Sequence, residues 1–112
     1  METMLEKMIE ADVLVLASPV YFYSVSAQIK ALMDRTVARY TEIKNKIMYY
    51  IIAAADPDLS HMERTIECFR GFAYCLEGSV EKGVVYGVGA WNKGEIKALP
   101  SMAQAYEMGK NV

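Results

Sequence analysis

Tyr21, Phe22 and Tyr23 stand in a row shortly after Pro19, in a segment reading SPVYFYSVSAQIKALMDR over residues 18–35. Such a cluster is poorly suited to proton shuttling or nucleophilic attack, but clustered aromatic rings can stack on and enclose a planar group. The plainer alternative is that these rings cover the end of a sheet, and the residues alone leave both open. Groups that usually carry acid–base or metal chemistry are sparse. His61 is the only histidine, and at the start of a helical pattern it reads as a solvated surface residue. Asp56 and Asp58 flank Pro57 and read as turn and capping residues rather than a working carboxylate pair. Cys68 and Cys75 would sit about 10 Å apart along a helix axis, too far for a disulfide, and lack metal-ligand spacing. They read as small core or surface residues, so neither a catalytic side chain nor a metal set is expected. The run GVGAWNKG over residues 87–94 matches neither the dinucleotide fingerprint nor the P-loop. It reads first as a turn that needs positive φ, and only second as a ligand contact.

Composition narrows the class of function. The 112 residues suit one domain with one core, and 54% apolar with 23% charged residues is the balance of a folded globular chain. A formal charge of −2, with scattered Lys and Arg, offers no basic face for phosphates, so nucleic acid is not an expected partner. No apolar run reaches the length of a membrane span, and METMLEKMIE is acidic where a signal peptide would be basic. No membrane association and a cytoplasmic location are therefore expected.

The elements that must position the aromatic segment follow from periodicity. Met1, Met4, Leu5, Met8 and Ile9 fall at helical spacing. A continuous apolar run over residues 12–17 then reads as a strand buried on both faces. Ser24 is placed to cap a second helix carrying Val25, Ile29, Leu32, Met33 and Thr36 on one stripe. Residues 47–55 form a second buried strand that stops at the turn signal Asp56–Pro57–Asp58. Ser60 and Glu63 read as a capping box before a helix bearing Met62, Ile66, Phe69, Phe72, Ala73 and Leu76, with Gly78 ending it. A third strand spans residues 83–88, and Pro100 opens a last helix lined by Met102, Ala105, Tyr106 and Gly109. The order αβαβαβα predicts an α/β fold with a parallel sheet and helices on both faces. Ligands in such sheets bind beyond the carboxyl ends of the strands, which directs attention to the loops after Ala17, Ala55 and Val88.

Ser18, Pro19, Val20, Tyr21, Phe22, Tyr23, Ser24, Gln28, Lys30, Asp34 and Arg35 stand where they do in one known group of proteins. In this segment the chain resembles the flavodoxin-like NADPH-dependent FMN reductases and the related iron-sulfur flavoproteins. The resemblance extends over residues 1–112 and corresponds to the later part of that domain. It implies a single partial flavodoxin-like domain, a truncated three-layer sandwich with three parallel strands at 12–17, 47–55 and 83–88. It further implies FMN as cofactor and NAD(P)H as electron donor, passing electrons to a flavin, quinone or metal-cluster acceptor. Ser18, Pro19, Val20, Tyr21, Phe22, Tyr23 and Ser24 would then contact the isoalloxazine ring and ribityl chain. The loop from Ala54 to Asp58, including Ala54, Ala55 and Asp56, would approach its pyrimidine edge with backbone groups, while Asp34 and Arg35 look structural. Two family features are not matched: the loop rich in Ser, Gly, Arg and Asn that seats the FMN phosphate at a helix amino end, and the compact cysteine motif of the iron-sulfur branch. The alternatives are a non-catalytic truncated remnant or oligomerisation module, a mis-set start codon, or a subunit whose remaining strands come from another polypeptide.

Flavodoxin-like sheets have the order 2-1-3-4-5, and the three strands here match the third, fourth and fifth. The strand at 12–17 would then be central yet lack one neighbour, and such an apolar edge pairs with whatever edge it meets. A few hundred Å² of exposed apolar surface forfeits several kcal/mol at about 25 cal/mol per Å², comparable to the stability of a small domain. A homo-oligomer is expected, in the first instance a homodimer through the edge of strand 12–17.

Overall fold

Runs rich in Val, Leu, Ile and Tyr favour extended backbone wherever a helix can shelter one face. In the computed structural model, which describes residues 1–112, this gives β1 (Val13–Pro19), β2 (Ile47–Ala54) and β3 (Val80–Val88). The three pair in parallel as one sheet in the order β1-β2-β3. The helices are α1 (Glu2–Glu10), α2 (Ala27–Asp34), α3 (Glu63–Tyr74) and α4 (Pro100–Lys110). Short 3-10 turns lie at Tyr40–Glu42, Leu59–Met62 and Glu95–Ala98. The alternation of parallel strands and helices is the expected α/β fold.

One face of the sheet carries the core. Leu14, Leu16, Met48, Tyr50 and Ile52 pack there with Leu5 and Met8 of α1, Met33 of α2, and Ile66 and Phe69 of α3. Tyr50 stacks on Phe69 with ring centroids 5.3 Å apart, both fully buried. The buried Lys46 ties α1 to the sheet: its Nζ donates to the Ile9 carbonyl at 2.6 Å and to that of Ala11. A cation on the last carbonyls of a helix satisfies acceptors that the helix itself leaves free.

The opposite face is covered only in part. Tyr49 pairs in register with Gly83 beneath α4, and a Cβ on Gly83 would come within 2.8 Å of Met108 Sδ and Cε. Glycine there allows α4 to approach. The sheet-facing positions of α4 are Ser101, Ala105 and Met108, whereas Met102 and Tyr106 point outward. The stripe expected from hydropathy was thus wrong in phase, because the bare backbone at Gly83 seats Met108 against the sheet and turns Met102 and Tyr106 away.

Three other expectations change. β1 is not buried on both faces: its burial alternates, with Val15 55% exposed, because no helix covers this strand on the α4 side. β3 begins at Val80 rather than residue 83, since a bulge between Met48 and Tyr49 lets Val80 and Glu81 join the ladder. Glu81 there receives Arg70 of α3 at 2.9 Å. The helix caps also move. Ser26, not Ser24, caps α2 by accepting from the Ile29 N–H, and Asp58, not Ser60, caps the turn leading into α3 by accepting from the Ser60 N–H. Helix α3 itself closes at Tyr74, before the left-handed Gly78.

β1 has a neighbour on one side only. The Ile47 N–H donates to the Asp12 carbonyl and the Val20 N–H to that of Ala53, so even-numbered β1 residues address β2. By the alternation of a parallel strand, the N–H groups of Val13, Val15 and Ala17 point to the open edge.

Candidate functional site

The carboxyl ends of all three strands open on one side of the molecule, where their loops build a cavity. The first loop turns sharply. The Tyr21 N–H donates to the Ser24 carbonyl at 3.0 Å and the Ser24 N–H to that of Tyr21 at 3.1 Å, with φ of 50° at Phe22 and 63° at Tyr23. Two consecutive positive φ values define a type I′ turn, whose central positions normally take Asn and Gly. Two bulky aromatics here hold the backbone in a region that costs of order 1–3 kcal/mol per residue, and such strain clusters at ligand clamps.

The base of this turn is fixed by polar contacts. The buried Ser18 hydroxyl donates to the Pro19 carbonyl at 2.7 Å and accepts from the Ser26 N–H at 2.9 Å. Ser24 Oγ lies 3.6 Å from Cys68 Sγ, linking the turn to α3.

The second loop is knotted by short-range acceptors. Asp56 Oδ1 accepts from the Asp58 N–H at 2.9 Å, and Asp58 Oδ1 accepts from the Ser60 N–H at 2.9 Å and the Ser60 hydroxyl at 2.7 Å. These donors hold both carboxyls below the usual range, Asp56 chiefly through the Asp58 N–H and then His61, Asp58 chiefly through the Ser60 hydroxyl. The turn and capping roles expected of Asp56 and Asp58 are therefore what they perform. His61 is more than a solvated side chain. Its Nδ1 stands 2.5 Å from Asp56 Oδ2, which raises its pKa, and its ring meets Tyr23 edge to face at 5.8 Å.

The third loop carries Trp91. Gly89 and Gly94 have φ of 86° and 89°, the left-handed values that favour glycine, in keeping with the turn expected of this run. The Trp91 N–H and the Asn92 side chain donate to the Glu95 carboxylate at 3.0 and 2.7 Å, which keeps that acid well below its ordinary pKa. Gly89 donates back to the Ala54 carbonyl at 2.9 Å, docking this loop on the second.

Together the loops border an open cavity of about 480 Å³, within the size range of small-molecule and cofactor sites. Of the residues expected at a flavin, Val20, Phe22, Tyr23, Ala54, Ala55 and Asp56 line it. Ser18 lies buried beneath the turn, Pro19 ends β1, and Tyr21 and Ser24 form the base of the turn rather than the wall. Pro57, within the expected second loop, also lines it, and Met62 and Trp91, which were not among the expected residues, complete the lining. Trp91 had a sequence signal, a large aromatic bracketed by glycines after a strand, whereas Met62 had only that of a core residue. The lining contains three aromatics, one carboxylate and no cation. A somewhat larger cavity of about 520 Å³ runs between the carboxyl-terminal ends of α2 and α3, past Val37, Tyr40 and the exposed Cys75, away from these loops.

Known proteins share the fold. The Trp repressor binding protein of Bacillus subtilis superposes with a TM-score of 0.77 at 21% identity, over 87% of this chain and 67% of its own. A flavodoxin, WrbA-like protein of Agrobacterium tumefaciens gives 0.70 at 14% identity, over 87% of this chain and 64% of its own. A flavodoxin-like α/β fold with three parallel strands in one open sheet is therefore the fold of the chain. In sequence, an iron-sulfur flavoprotein of Methanocaldococcus jannaschii is 60% identical over 35 residues, 31% of this chain and 18% of that protein. The chain thus spans less than a fifth of that curated relative. The family described as NADPH-dependent FMN reductase matches residues 1–93, which include all three cavity loops through Trp91. On that match, the chain belongs to the NADPH-dependent FMN reductase family.

Proposed function

We propose that this chain holds FMN by its ring at the carboxyl ends of β1, β2 and β3 and serves a flavin reductase-like oxidoreductase that takes electrons from NAD(P)H. The observation that carries the reading is the cavity walled by Phe22, Tyr23 and Trp91, built from segments inside the family match. Its chemistry fits the group. Aromatic and aliphatic walls suit the two faces of a flat ring, and the Asp56 carboxylate is an acceptor suited to an N–H at a pyrimidine edge. FMN, when bound, supplies the hydride and electron chemistry, which is why the protein needs no nucleophile or acid–base dyad. The side chains' part is to enclose the ring, orient it against the backbone after Ala54 and keep water from it. Ser18 supports this indirectly, through its hold on the turn.

The open edge of β1 supports a homodimer as part of the same reading, since the outward N–H groups of Val13, Val15 and Ala17 and the exposed Val15 offer a second copy both hydrogen bonds and apolar contact. A cytoplasmic setting is consistent with two free thiols at Cys68 and Cys75, and no helix is long and apolar enough to cross a membrane. The test is a visible spectrum after gel filtration with added FMN, beside a molar-mass measurement and an NAD(P)H oxidation assay. A flavin band that coelutes with the protein, with NAD(P)H consumed, supports the oxidoreductase. A colourless, inactive oligomer supports the oligomerisation module, the reading that the open edge favours on its own.

A further inference from the structure

Two of the loops that wall the cavity are joined by a chain of contacts running through one imidazole. The Tyr23 ring meets His61 edge to face at 5.8 Å, and Arg64 Cζ lies 5.7 Å from the Tyr23 centroid. His61 in turn reaches Asp56 Oδ2 with Nδ1 at 2.5 Å and faces Asp58 Oδ2 with Nε2 at 3.4 Å. Glu63, beside Arg64 at the start of α3, is the remaining charged group lining the recess around His61, with Tyr23 and Ser60. An imidazole with a carboxylate at each nitrogen is best served as the cation, because only that form donates from both nitrogens. The neutral ring must turn a lone pair toward one of the two carboxylates. Tyr23 and Asp56 both line the cavity, so this contact chain spans its two walls.

We propose that His61 is a positioning residue: protonated, it fastens the strained Tyr21–Ser24 turn to the loop after β2 and thereby sets how tightly the cavity holds a flat ring. Identifying that ring as flavin rests on the function proposed above. Tyr23 sits in a left-handed conformation that it leaves unless its side chain is held. Arg64 and the imidazolium hold it. Loss of one His61 proton leaves the ring in place but takes the positive charge from between Asp56 and Asp58 and turns a lone pair toward one of them, which loosens the tie between the two loops. Asp56 bonding raises the His61 pKa above its ordinary value of about 6.5. The latch is therefore complete below that ordinary value and fades as pH rises through the raised one. Asp56 and Asp58, both held below the usual carboxylate range, stay charged throughout that window.

The experiment pairs two readouts on the full chain. FMN fluorescence quenching is titrated at about pH 6 and about pH 9 for wild type, His61→Gln and His61→Lys. Wild type should lose about threefold in affinity, the scale of one exposed charge-assisted contact. His61→Gln should be weak at both pH values, and His61→Lys, cationic at both, should restore the tight value without pH dependence. In the flavin-free chain, the Tyr23 and Asp56 amide resonances should titrate together with the His61 ring. A Tyr23 amide indifferent to that titration, or a His61→Gln chain that keeps the wild-type pH dependence, overturns the latch. Coupled titration in a chain that binds no FMN at any pH keeps the latch and removes the flavin reading instead.

Discussion

Phe22 offers a substitution whose two effects should run in opposite directions. It occupies the first central position of a type I′ turn at φ 50° and is fully exposed. A left-handed conformation costs about 1–2 kcal/mol for a residue with a bulky side chain, and Asn, which bonds locally and accepts this region, avoids much of it. Because no burial is lost with the Phe22 ring, Phe22→Asn should stabilise the fold by about 1 kcal/mol. For a domain of this size that raises Tm by roughly 4 °C. Tyr23→Gly makes the contrast. The same relief there is offset by lost contacts with His61 and Arg64, each worth about 0.5–1 kcal/mol, so its net effect should be near zero. On the ligand side, Phe22 shields about 100 Å² of a bound ring, near 2 kcal/mol of apolar contact, so Phe22→Asn should weaken FMN at least about tenfold. Thermal unfolding followed by circular dichroism reads the first effect and flavin fluorescence quenching the second. A Phe22→Asn chain that melts lower than wild type shows that the turn stores no strain. One that binds FMN as tightly as wild type shows that Phe22 is no wall of the site.

Other outcomes follow from the same geometry. The cavity lining carries one carboxylate and no cation, so this chain should bind riboflavin within about threefold of FMN, a fivefold or greater preference for FMN being the contrary result in the same quenching assay. Ala17→Pro deletes an outward N–H from the open edge while leaving the β1–β2 ladder intact. It should shift sedimentation from dimer toward monomer, and an unchanged mass would remove β1 from the interface. Phe69→Ala takes away the partner of Tyr50 in the buried core. The expected loss is about 3–5 kcal/mol, read as a lower urea midpoint, and a loss under about 1 kcal/mol would show that the core repacks around the gap.

The order of elements was legible because the segments around Val13–Ala17 and Ile47–Ala54 are continuously apolar, whereas helical spacing separates the runs between them. Burial of β1 was misjudged because apolar sequence states what a strand tolerates and not what covers it. Two serines near the start of α2 could each cap it. Ser24 is consumed by the I′ turn, which leaves Ser26, and nothing in Phe22–Tyr23 announces that turn, since both residues disfavour it. The rule that ligands gather at strand carboxyl ends singled out the loops, and the family resemblance singled out the residues at Val20–Tyr23 and Ala54–Asp56 within them. Trp91 was harder, because its loop joins the site through backbone hydrogen bonds from Gly89 and Ala90 back to Ala54, which periodicity does not report. The role of His61 was hidden for a related reason: it depends on Tyr23, brought near by a left-handed backbone that periodicity does not report.

The ammonium of Lys46 has a consequence for how the molecule breathes. Enclosed beneath the end of α1, it takes its two acceptors from Ile9 in the last turn and from Ala11, which caps the helix. Detaching residues 2–10 would strand a charged donor under the sheet until water entered, so opening of this segment cannot be the cheap fraying typical of a first helix. Amide protons of α1 should therefore exchange with solvent deuterium in step with those at the start of β2, as one cooperative unit.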